Sequence, residues 1–517
     1  MPIEGISSQE PRGSVGRGLA AGLGASVWTA LVGLAVIPFY VRYLGLEGYG
    51  LIGFLATAQA LLQLLDFGLA ATVNREVARG RASGDLEPAR SLLHGAALVY
   101  WAIAAAIGLG LALAAPAVAA KWLRAGTLSA GGVAGAVALM ALVIACRWPG
   151  PLYHAALMGA RRVALSSLLN AVSVTVAGAG AVLVLAFVSP SVQAWLLWQA
   201  AAGLALVLAA RAAAWRALGR GGGRSGPAEL ARVWRFAAGV SAIGVAGVVL
   251  TQADKLILSS VLPLAEYGAY MLAVAIAVTL YLFSQPFFNV LYPRFSFLAH
   301  AGDAVALGET YRVATRLLAA MAFPAAMFFC VFARDLVQAW TGSPALAASV
   351  APLVPMLAAG VALHCVMHVP YALQLAHGLT RLSLTASLVM LAVAVPLTIA
   401  LATAYGAAGG AAAWLALHVL GTLLGSWLTH RHLLRGTWGR WLAIDVGVPA
   451  ALSAAAGFAA WRLEPAAGGE LGRLAWGAAW ALAAFAAIVA ASPGLRASAL
   501  QYARDFAQRP PVPRQHD

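Results

Sequence analysis

Ionisable side chains inside long apolar stretches are the residues of this sequence that point most directly to chemistry. Charges interrupt apolar runs at several positions, among them Asp66, Arg147, Asp254 and Lys255. A charge in such a setting is expensive, so it indicates a transport pathway, an ion pair or a ligand contact. Amide side chains on the same stretches can hydrogen-bond sugar hydroxyls or other helices: Gln59, Gln63 and Gln252.

Asp254 and Lys255 are predicted to lie in the outer third of one helix. Neighbours on a helix point about 100° apart, so these two side chains are expected not to pair with each other. Lys255 has two interpretations. Its compact ammonium could contact a diphosphate or an acidic sugar, or it could extend to the outer lipid headgroups.

Asp66 is expected in the inner third of its helix. It either contacts a substrate or coupling ion, or forms a helix-packing salt bridge, with Arg75 as one available partner. Arg147 either lines an inner vestibule or anchors the chain at the cytoplasmic face. The full set of substrate-cavity candidates is Lys255, Asp254, Asp66, Arg75, Arg147, Gln59, Gln63 and Gln252.

The histidines and cysteines do not predict a metal site. His364 and His368 share a helical face, but neither they nor His377 belong to an HExxH motif or have an acidic third ligand, which favours packing or interhelical hydrogen bonds. The three cysteines show no CxxC spacing: Cys146, Cys330 and Cys365. No P-loop occurs, and no cofactor is predicted.

The composition identifies the elements that must position these side chains. The chain has 517 residues, of which 62% are hydrophobic and 10% charged, whereas soluble domains average about 25% charged residues. A large soluble protein is therefore excluded. The formal charge of +15 does not indicate nucleic-acid binding, because the basic residues flank apolar segments.

A helix needs about 20 apolar residues to cross a bilayer. This rule predicts an all-α polytopic membrane protein with about 14 transmembrane helices. The predicted spans are 18–40, 50–73, 92–115, 128–148, 165–188, 193–214, 236–260, 267–290, 313–333, 352–374, 382–404, 407–429, 442–461 and 474–492. With both termini in the cytoplasm, about 26 of the 33 basic residues fall on the inner side, as the positive-inside rule expects.

Two copies of Leu-x-Leu-x-x-Tyr-Gly, at 44–50 and 262–268, indicate two related halves. Six spans separate the copies, so both face outward and the halves are parallel repeats. The gate candidates are Arg42, Glu47, Tyr49, Glu266, Tyr267 and Arg294, of which Arg294 is expected at the cytoplasmic end of its span. Interfacial anchoring is the alternative for the charged members, and the aromatic belt is the expected location of both tyrosines.

The predicted organisation follows from the repeat and a basic, Gly-rich linker. It comprises a cytoplasmic segment 1–17, an N-lobe of six helices 18–215, a cytoplasmic linker 216–235, a C-lobe of six helices 236–430, two extra helices within 442–492 and a cytoplasmic tail 493–517.

The motifs in order resemble the bacterial polysaccharide or O-antigen flippase family. This is the oligosaccharidyl-lipid branch of the multidrug/oligosaccharidyl-lipid/polysaccharide exporter superfamily. The similarity covers roughly the first 300 residues and rests on the segments 43–51, 65–69, 75–76, 254–258, 266–268 and 291–294.

The resemblance implies a flippase of the bacterial cytoplasmic (inner) membrane. Such a protein moves undecaprenyl-diphosphate-linked oligosaccharide by alternating access, for O-antigen or exopolysaccharide synthesis. Its other partners would be membrane lipids and a glycan polymerase or export machinery, and nucleic acid is not among them. Two alternatives stay open: a multidrug or small-molecule exporter of the same superfamily, and a membrane glycosyltransferase, polymerase or ligase. The short outward loops, poor in Asp, Glu and His, count against an enzyme.

Overall fold

The computed structural model describes residues 12–66, 68–219, 247–465 and 469–497, with the side chains of residues 12–23 and 285 left out of the description. Several predicted segments therefore lie outside the described residues. These are most of the N-terminal segment 1–17, most of the linker 216–235, the first part of the seventh span and most of the tail 493–517.

Within the described ranges the chain is helical, and its one recorded β-bridge joins Arg124 to Pro263. The helices of the first part are α1 Arg12–Leu62, α2 Leu69–Ser83, α3 Glu87–Lys121, α4 Ala130–Arg147, α5 Gly150–Gly159, α6 Val163–Phe187 and α7 Val192–Leu218. Those of the second part are α8 247–261, α9 Leu264–Ala277, α10 Tyr281–Ala301, α11 Ala304–Val331, α12 Ala333–Thr341, α13 Pro344–Val350, α14 Val354–Ala376, α15 Thr380–His432, α16 Trp438–Arg462 and α17 Glu470–Ala491.

Eleven helices in the described part of the chain are long and apolar enough to cross a membrane. Two of them are too long for one crossing. Helix α1 has 51 residues and α15 has 53, which is about 80 Å for each at 1.5 Å per residue, against a hydrocarbon core of about 30 Å. Helix α8 is the described part of the predicted seventh span. The predicted all-α polytopic fold is confirmed.

One glycine interrupts each of the two longest helices and divides it into two arms. Gly45 in α1 and Gly406 in α15 both have positive φ, 67° and 61°, a conformation that glycine adopts without strain. In α15, Met390 packs against Leu417 and reaches Gly421, so the second arm runs back beside the first. Each helix therefore supplies two of the predicted spans.

The second predicted span, 50–73, is interrupted in the structure. Helix α1 ends at Leu62, a 3-10 turn covers Gln63–Asp66, and α2 begins after Gly68, which is left-handed with φ 75°. The hydropathy of this stretch is continuous, so the change of direction could not be read from it. Asp66 consequently lies in a turn and not within a regular helix.

The chain divides into two compact units. Unit 1 contains Met1–Val248 and Pro263–Gly268, and unit 2 contains Val249–Leu262 and Ala269–Asp517. In unit 1, α3 packs on α4, α4 on α7 and α1 on α6; in unit 2, α14 packs on α10, α11 and α15. The extra helices α16 and α17 pack on each other and on α11. The predicted lobe boundaries stay a prediction.

Large apolar side chains point away from both units. Leu113 is 73% exposed and Phe187 84% exposed, although both lie on helices of membrane-spanning length. Such surfaces are stable when lipid is the solvent.

Candidate functional site

Four of the predicted cavity residues line one cleft in unit 1. The cleft has a volume of about 200 Å³, and its lining residues are Gln59, Gln63, Asp66, Tyr100, Ile144, Arg147, Trp148 and Pro151. Gln59 and Gln63 are four residues apart at the end of α1, so they share a helical face. The cleft therefore brings together two amides, an acid and a base.

Arg147 reaches the cleft from the last turn of α4. Its guanidinium donates to the amide oxygen of Gln199, and Gln199 donates to the carbonyl of Ala177 at 3.2 Å. Gly203 on α7 leaves room for the arginine stem, because an added Cβ there would lie 2.7 Å from its Cγ. The surrounding helices thus hold Arg147 in a defined position.

Two buried polar atoms of the lining residues have no hydrogen-bond partner among the described residues. They are the hydroxyl of Tyr100 and the indole nitrogen of Trp148. Both side chains are buried, at 1% and 8% exposure. A buried polar group without a partner is uncommon and costly, so these atoms are available to a ligand or a water molecule in the cleft.

Asp66 holds its position by accepting a hydrogen bond from the backbone N–H of Ala70 at 3.3 Å. Arg75, the partner considered from sequence, lies outside the cleft lining on the exposed side of α2 and pairs with Glu76 at 3.4 Å. Arg79 also pairs with Glu76, at 3.6 Å. Arg75 therefore belongs to a cluster of surface charges and not to the lining of the cleft.

Asp254 and Lys255 lie in unit 2, where they form an ion pair with 3.1 Å between Nζ and Oδ1. The prediction that sequence neighbours do not pair is therefore wrong here. The flexible lysine stem folds back along α8, where Nζ also donates to the carbonyl of Thr251 at 2.8 Å. Burial of both side chains explains the pairing, because an isolated charge would be costly there.

Two aromatic residues contact this ion pair. Tyr270 donates its hydroxyl proton to Asp254 at 2.6 Å, and the Lys255 ammonium lies 4.7 Å from the ring centre of Trp414. Lys255 is buried, which is contrary to the interpretation that it extends to lipid headgroups. Gln252 lies half-buried three residues before it on α8.

A third histidine lies beside the two that were predicted to share a helical face. The rings of His364 and His368 are 5.1 Å apart, and His418 from α15 lies 5.1 Å from His364. His377 is exposed and lies apart from these rings at the end of α14. No group of three or more His, Cys, Asp or Glu side chains within the described ranges could hold a metal ion.

Residues of the two motif copies contact each other within unit 1. A Cβ added at Gly50 would lie 2.5 Å from the carbonyl oxygen of Leu264, and one added at Gly268 would collide with the carbonyl oxygen of Leu46. Gly50 corresponds to Gly268 in the repeat, and Leu46 to Leu264. The contact is therefore reciprocal, and it depends on glycine at both positions.

The motif tyrosines are buried in the protein, at 6% exposure for Tyr49 and 0% for Tyr267. The Tyr267 hydroxyl lies 3.4 Å from that of Thr57. Both side chains are therefore covered by protein, which is contrary to their predicted location in an interfacial belt.

The charged gate candidates have separate surroundings. Glu47 accepts hydrogen bonds from the backbone N–H groups of Gly126, Thr127 and Leu128, and it thereby holds the connection between α3 and α4. Arg42 is exposed and Glu266 half-buried. Arg294 is exposed on α10, with its guanidinium 6.0 Å from the ring of Phe297.

One ion pair was missed from the sequence. Arg316 of α11 donates to Asp445, which lies in a π-helical segment, Trp441–Gly447. The positive-inside rule accounts for Arg316 as a cytoplasmic arginine, and it gives no indication of this pairing. The rule that ionisable residues within predicted spans are informative could have identified Asp445, since the predicted thirteenth span contains it.

Comparison with solved structures shows the same fold in membrane transport proteins. The structure of the lipid II flippase MurJ in its inward closed conformation matches with a TM-score of 0.67 at 11% identity, over 94% of this chain and 99% of that chain. An inward-facing multidrug resistance MATE family transporter of the MOP superfamily matches with a TM-score of 0.62 at 12% identity, over 78% and 95%. The Vibrio cholerae MATE transporter VcmN gives 0.53 at 15% identity, over 83% and 100%.

These relatives are a flippase and transporters rather than enzymes, so the glycosyltransferase, polymerase or ligase interpretation gains no support. A search of curated proteins found no match. The family model described as "Polysaccharide biosynthesis protein" matches residues 15–299. Because this match covers more than half of the sequence, the chain belongs to the polysaccharide biosynthesis protein family.

Proposed function

We propose that this protein flips undecaprenyl-diphosphate-linked oligosaccharide from the inner to the outer leaflet of the bacterial cytoplasmic membrane by alternating access. The observation that carries the proposal is the polar cleft of unit 1 in a member of this family. The flipped glycan would then serve a polymerase or export machinery on the outer side.

The cleft chemistry suits a phosphorylated glycan. Gln59 and Gln63 provide both donors and acceptors for sugar hydroxyls. The Tyr100 hydroxyl and the Trp148 N–H are donors that the described residues leave unused. Arg147 adds a permanent positive charge whose planar guanidinium matches phosphate oxygens.

Tyr100→Phe tests the cleft without breaking a described contact of the folded protein. The hydroxyl has no hydrogen-bond partner among the described residues, so stability should stay unchanged while glycan export falls. A hydrogen bond between neutral groups contributes about 0.5–1.5 kcal/mol, which corresponds to roughly 2- to 10-fold in export rate. Tyr311→Phe is the matched control, because it removes another buried hydroxyl without a described partner, in unit 2.

Arg147→Ala should reduce export more strongly, by roughly 10- to 100-fold, because hydrogen bonds to charged groups contribute about 1.5–3 kcal/mol. Arg211→Ala is its control, since Arg211 is exposed on α7. Export is measured in a flippase-deficient strain supplied with one glycan pathway at a time. Complete lipid-linked units should accumulate on the inner leaflet when the protein is inactive. Normal export by Arg147→Ala would contradict the assignment of the cleft.

A multidrug exporter is the second candidate, because transporters of that type share the fold. Asp66 beside the aromatic wall of the cleft could hold an organic cation. Dye efflux that depends on Asp66, in cells whose lipid-linked glycans stay normally distributed, would favour this second function.

A further inference from the structure

Three imidazole rings meet in the interior of unit 2. His364 lies between His368 and His418, with ring centres 5.1 Å from each. The first two residues come from α14 and the third from α15. Three titratable groups of the same kind at this spacing cannot all carry a positive charge, because like charges about 5 Å apart repel strongly in a medium of low dielectric constant.

Backbone hydrogen bonds select the tautomers of two of these rings. His418 donates from Nδ1–H to the carbonyl of Trp414 at 2.8 Å, and His368 donates in the same way to the carbonyl of His364 at 3.0 Å. A carbonyl accepts only, so Nδ1 must carry the proton. The Nε2 atom of each neutral ring therefore retains a lone pair that can take up a proton.

The Asp254–Lys255 pair adjoins this histidine cluster through Trp414. The ring of Trp414 lies 4.2 Å from that of His418, and its centre lies 4.7 Å from the Lys255 ammonium. Trp414 therefore contacts both His418 and the charged pair. A positive charge on the cluster would attract Asp254 and repel Lys255.

The other titratable groups that face the cluster are neutral at physiological pH. Tyr281 lies 5.5 Å from His364 and 6.5 Å from His368. Cys365 follows His364 on α14, and its thiol donates to the carbonyl of Leu280 at 3.5 Å. Tyr270 donates to Asp254. The ion pair sums to zero, so one added proton gives the site a net charge of +1.

We propose that His364, His368 and His418 form a binding site for a single proton, and that its occupation releases Lys255 from Asp254 to bind an anionic substrate. The proton comes from hydronium in the aqueous phase, a new N–H bond forms at one Nε2 atom, and water is left. The substrate part of this inference rests on the proposed function, whereas the proton site does not.

The proton site can be measured without substrate. A protonated imidazole quenches the fluorescence of an indole in contact with it, so Trp414 reports on His418. The difference in emission between wild type and Trp414→Phe, over about pH 4–8, should contain a titration that disappears in His418→Gln. His377→Gln is the matched control, because His377 makes the same backbone hydrogen bond, to Leu373, but is exposed. A difference signal independent of pH, or one unchanged in His418→Gln, would overturn the proposal.

Release of Lys255 is tested by binding undecaprenyl diphosphate to the full chain in lipid nanodiscs. Binding to wild type should tighten about 10-fold from pH 7 to pH 4 relative to His418→Gln, which corresponds to about 1.4 kcal/mol. Lys255→Gln should abolish that difference but keep the fluorescence titration. His368→Gln serves as the second histidine variant if His418→Gln fails to fold. Equal pH dependence in wild type and folded histidine variants would overturn the release step.

The two proposals can fail separately. A fluorescence titration in a protein that moves no lipid-linked glycan supports the proton site and contradicts the proposed function. Glycan export without the titration supports the function and contradicts the site.

Discussion

Buried charges in this protein are held by side chains on neighbouring turns or on other helices. Arg147 donates to Gln199, Asp254 binds Lys255 and Tyr270, and Arg316 donates to Asp445. Each contact lowers the cost of placing a charge among apolar helices. Replacing one residue of a pair leaves the other without its charge or hydrogen-bond partner. Each contact can therefore be tested with a single substitution.

Asp445→Asn should destabilise unit 2 because it leaves the half-buried Arg316 without its counter-ion. The expected loss is about 3–5 kcal/mol, the usual cost of breaking a buried ion pair. The double variant Arg316→Met with Asp445→Leu should lose less, since it removes both charges. Thermal unfolding in detergent measures both, and Glu309→Gln, an exposed position on α11, is the control. An unfolding temperature for Asp445→Asn equal to wild type would contradict this role.

At the scale of elements, the two copies of the repeated motif pack against each other. Gly50 and Gly268 occupy equivalent positions, and each permits close approach to a backbone carbonyl of the other copy. Gly45 provides the bend that begins the second arm of α1 at the first copy. Glycine therefore acts twice in the same motif, once for backbone conformation and once for close packing.

Gly268→Ala should disrupt this contact and lower transport. An added methyl group has no space beside the Leu46 carbonyl, so overpacking of about 1–3 kcal/mol is expected. Gly135→Ala on α4 is the control, because no atom lies within 4 Å of its added Cβ, and it should be neutral or slightly stabilising. Unfolding temperature and glycan export are measured together. Wild-type values for Gly268→Ala would show that the close approach is unimportant.

Glu47→Ala should loosen the connection between α3 and α4. The carboxylate accepts from three backbone N–H groups, and the hydroxyl of Thr127 donates to it at 2.6 Å. Hydrogen exchange at residues 126–128 should accelerate. The control is Glu87→Ala at the exposed first position of α3, which should leave exchange in that segment unchanged. Unchanged exchange in Glu47→Ala would mean that other contacts hold the loop.

For the whole molecule, charge asymmetry predicts the orientation in the membrane. The loops assigned to the cytoplasm carry most of the arginines, which resist translocation. A membrane-impermeant maleimide should therefore label Lys121→Cys in intact cells, and label Arg381→Cys only after permeabilisation. Both positions are exposed. Labelling of Arg381→Cys in intact cells would reverse the predicted topology.

The sequence by itself determined the helical membrane fold and the breaks between most spans. Hydropathy is a local property, and it sufficed to separate the predicted spans on either side of Gly45 and of Gly406, where the structure bends. The cost of charge in lipid also identified Asp66, Arg147, Asp254 and Lys255 as polar positions worth attention. The sequence predicted Gln59, Gln63, Asp66 and Arg147 as residues of a substrate cavity, but it did not predict how these four side chains are arranged in one cleft.

Tertiary structure decided which polar residues meet. It left Arg75 on the surface, buried Tyr49 and Tyr267, joined Lys255 to its neighbour and brought Asp445 to Arg316. The reason is physical: a lipid-facing and a protein-facing helix surface are both apolar, so periodicity cannot tell them apart. Partners are selected by the rotation of each helix and by side-chain reach, which exist only once the helices have packed.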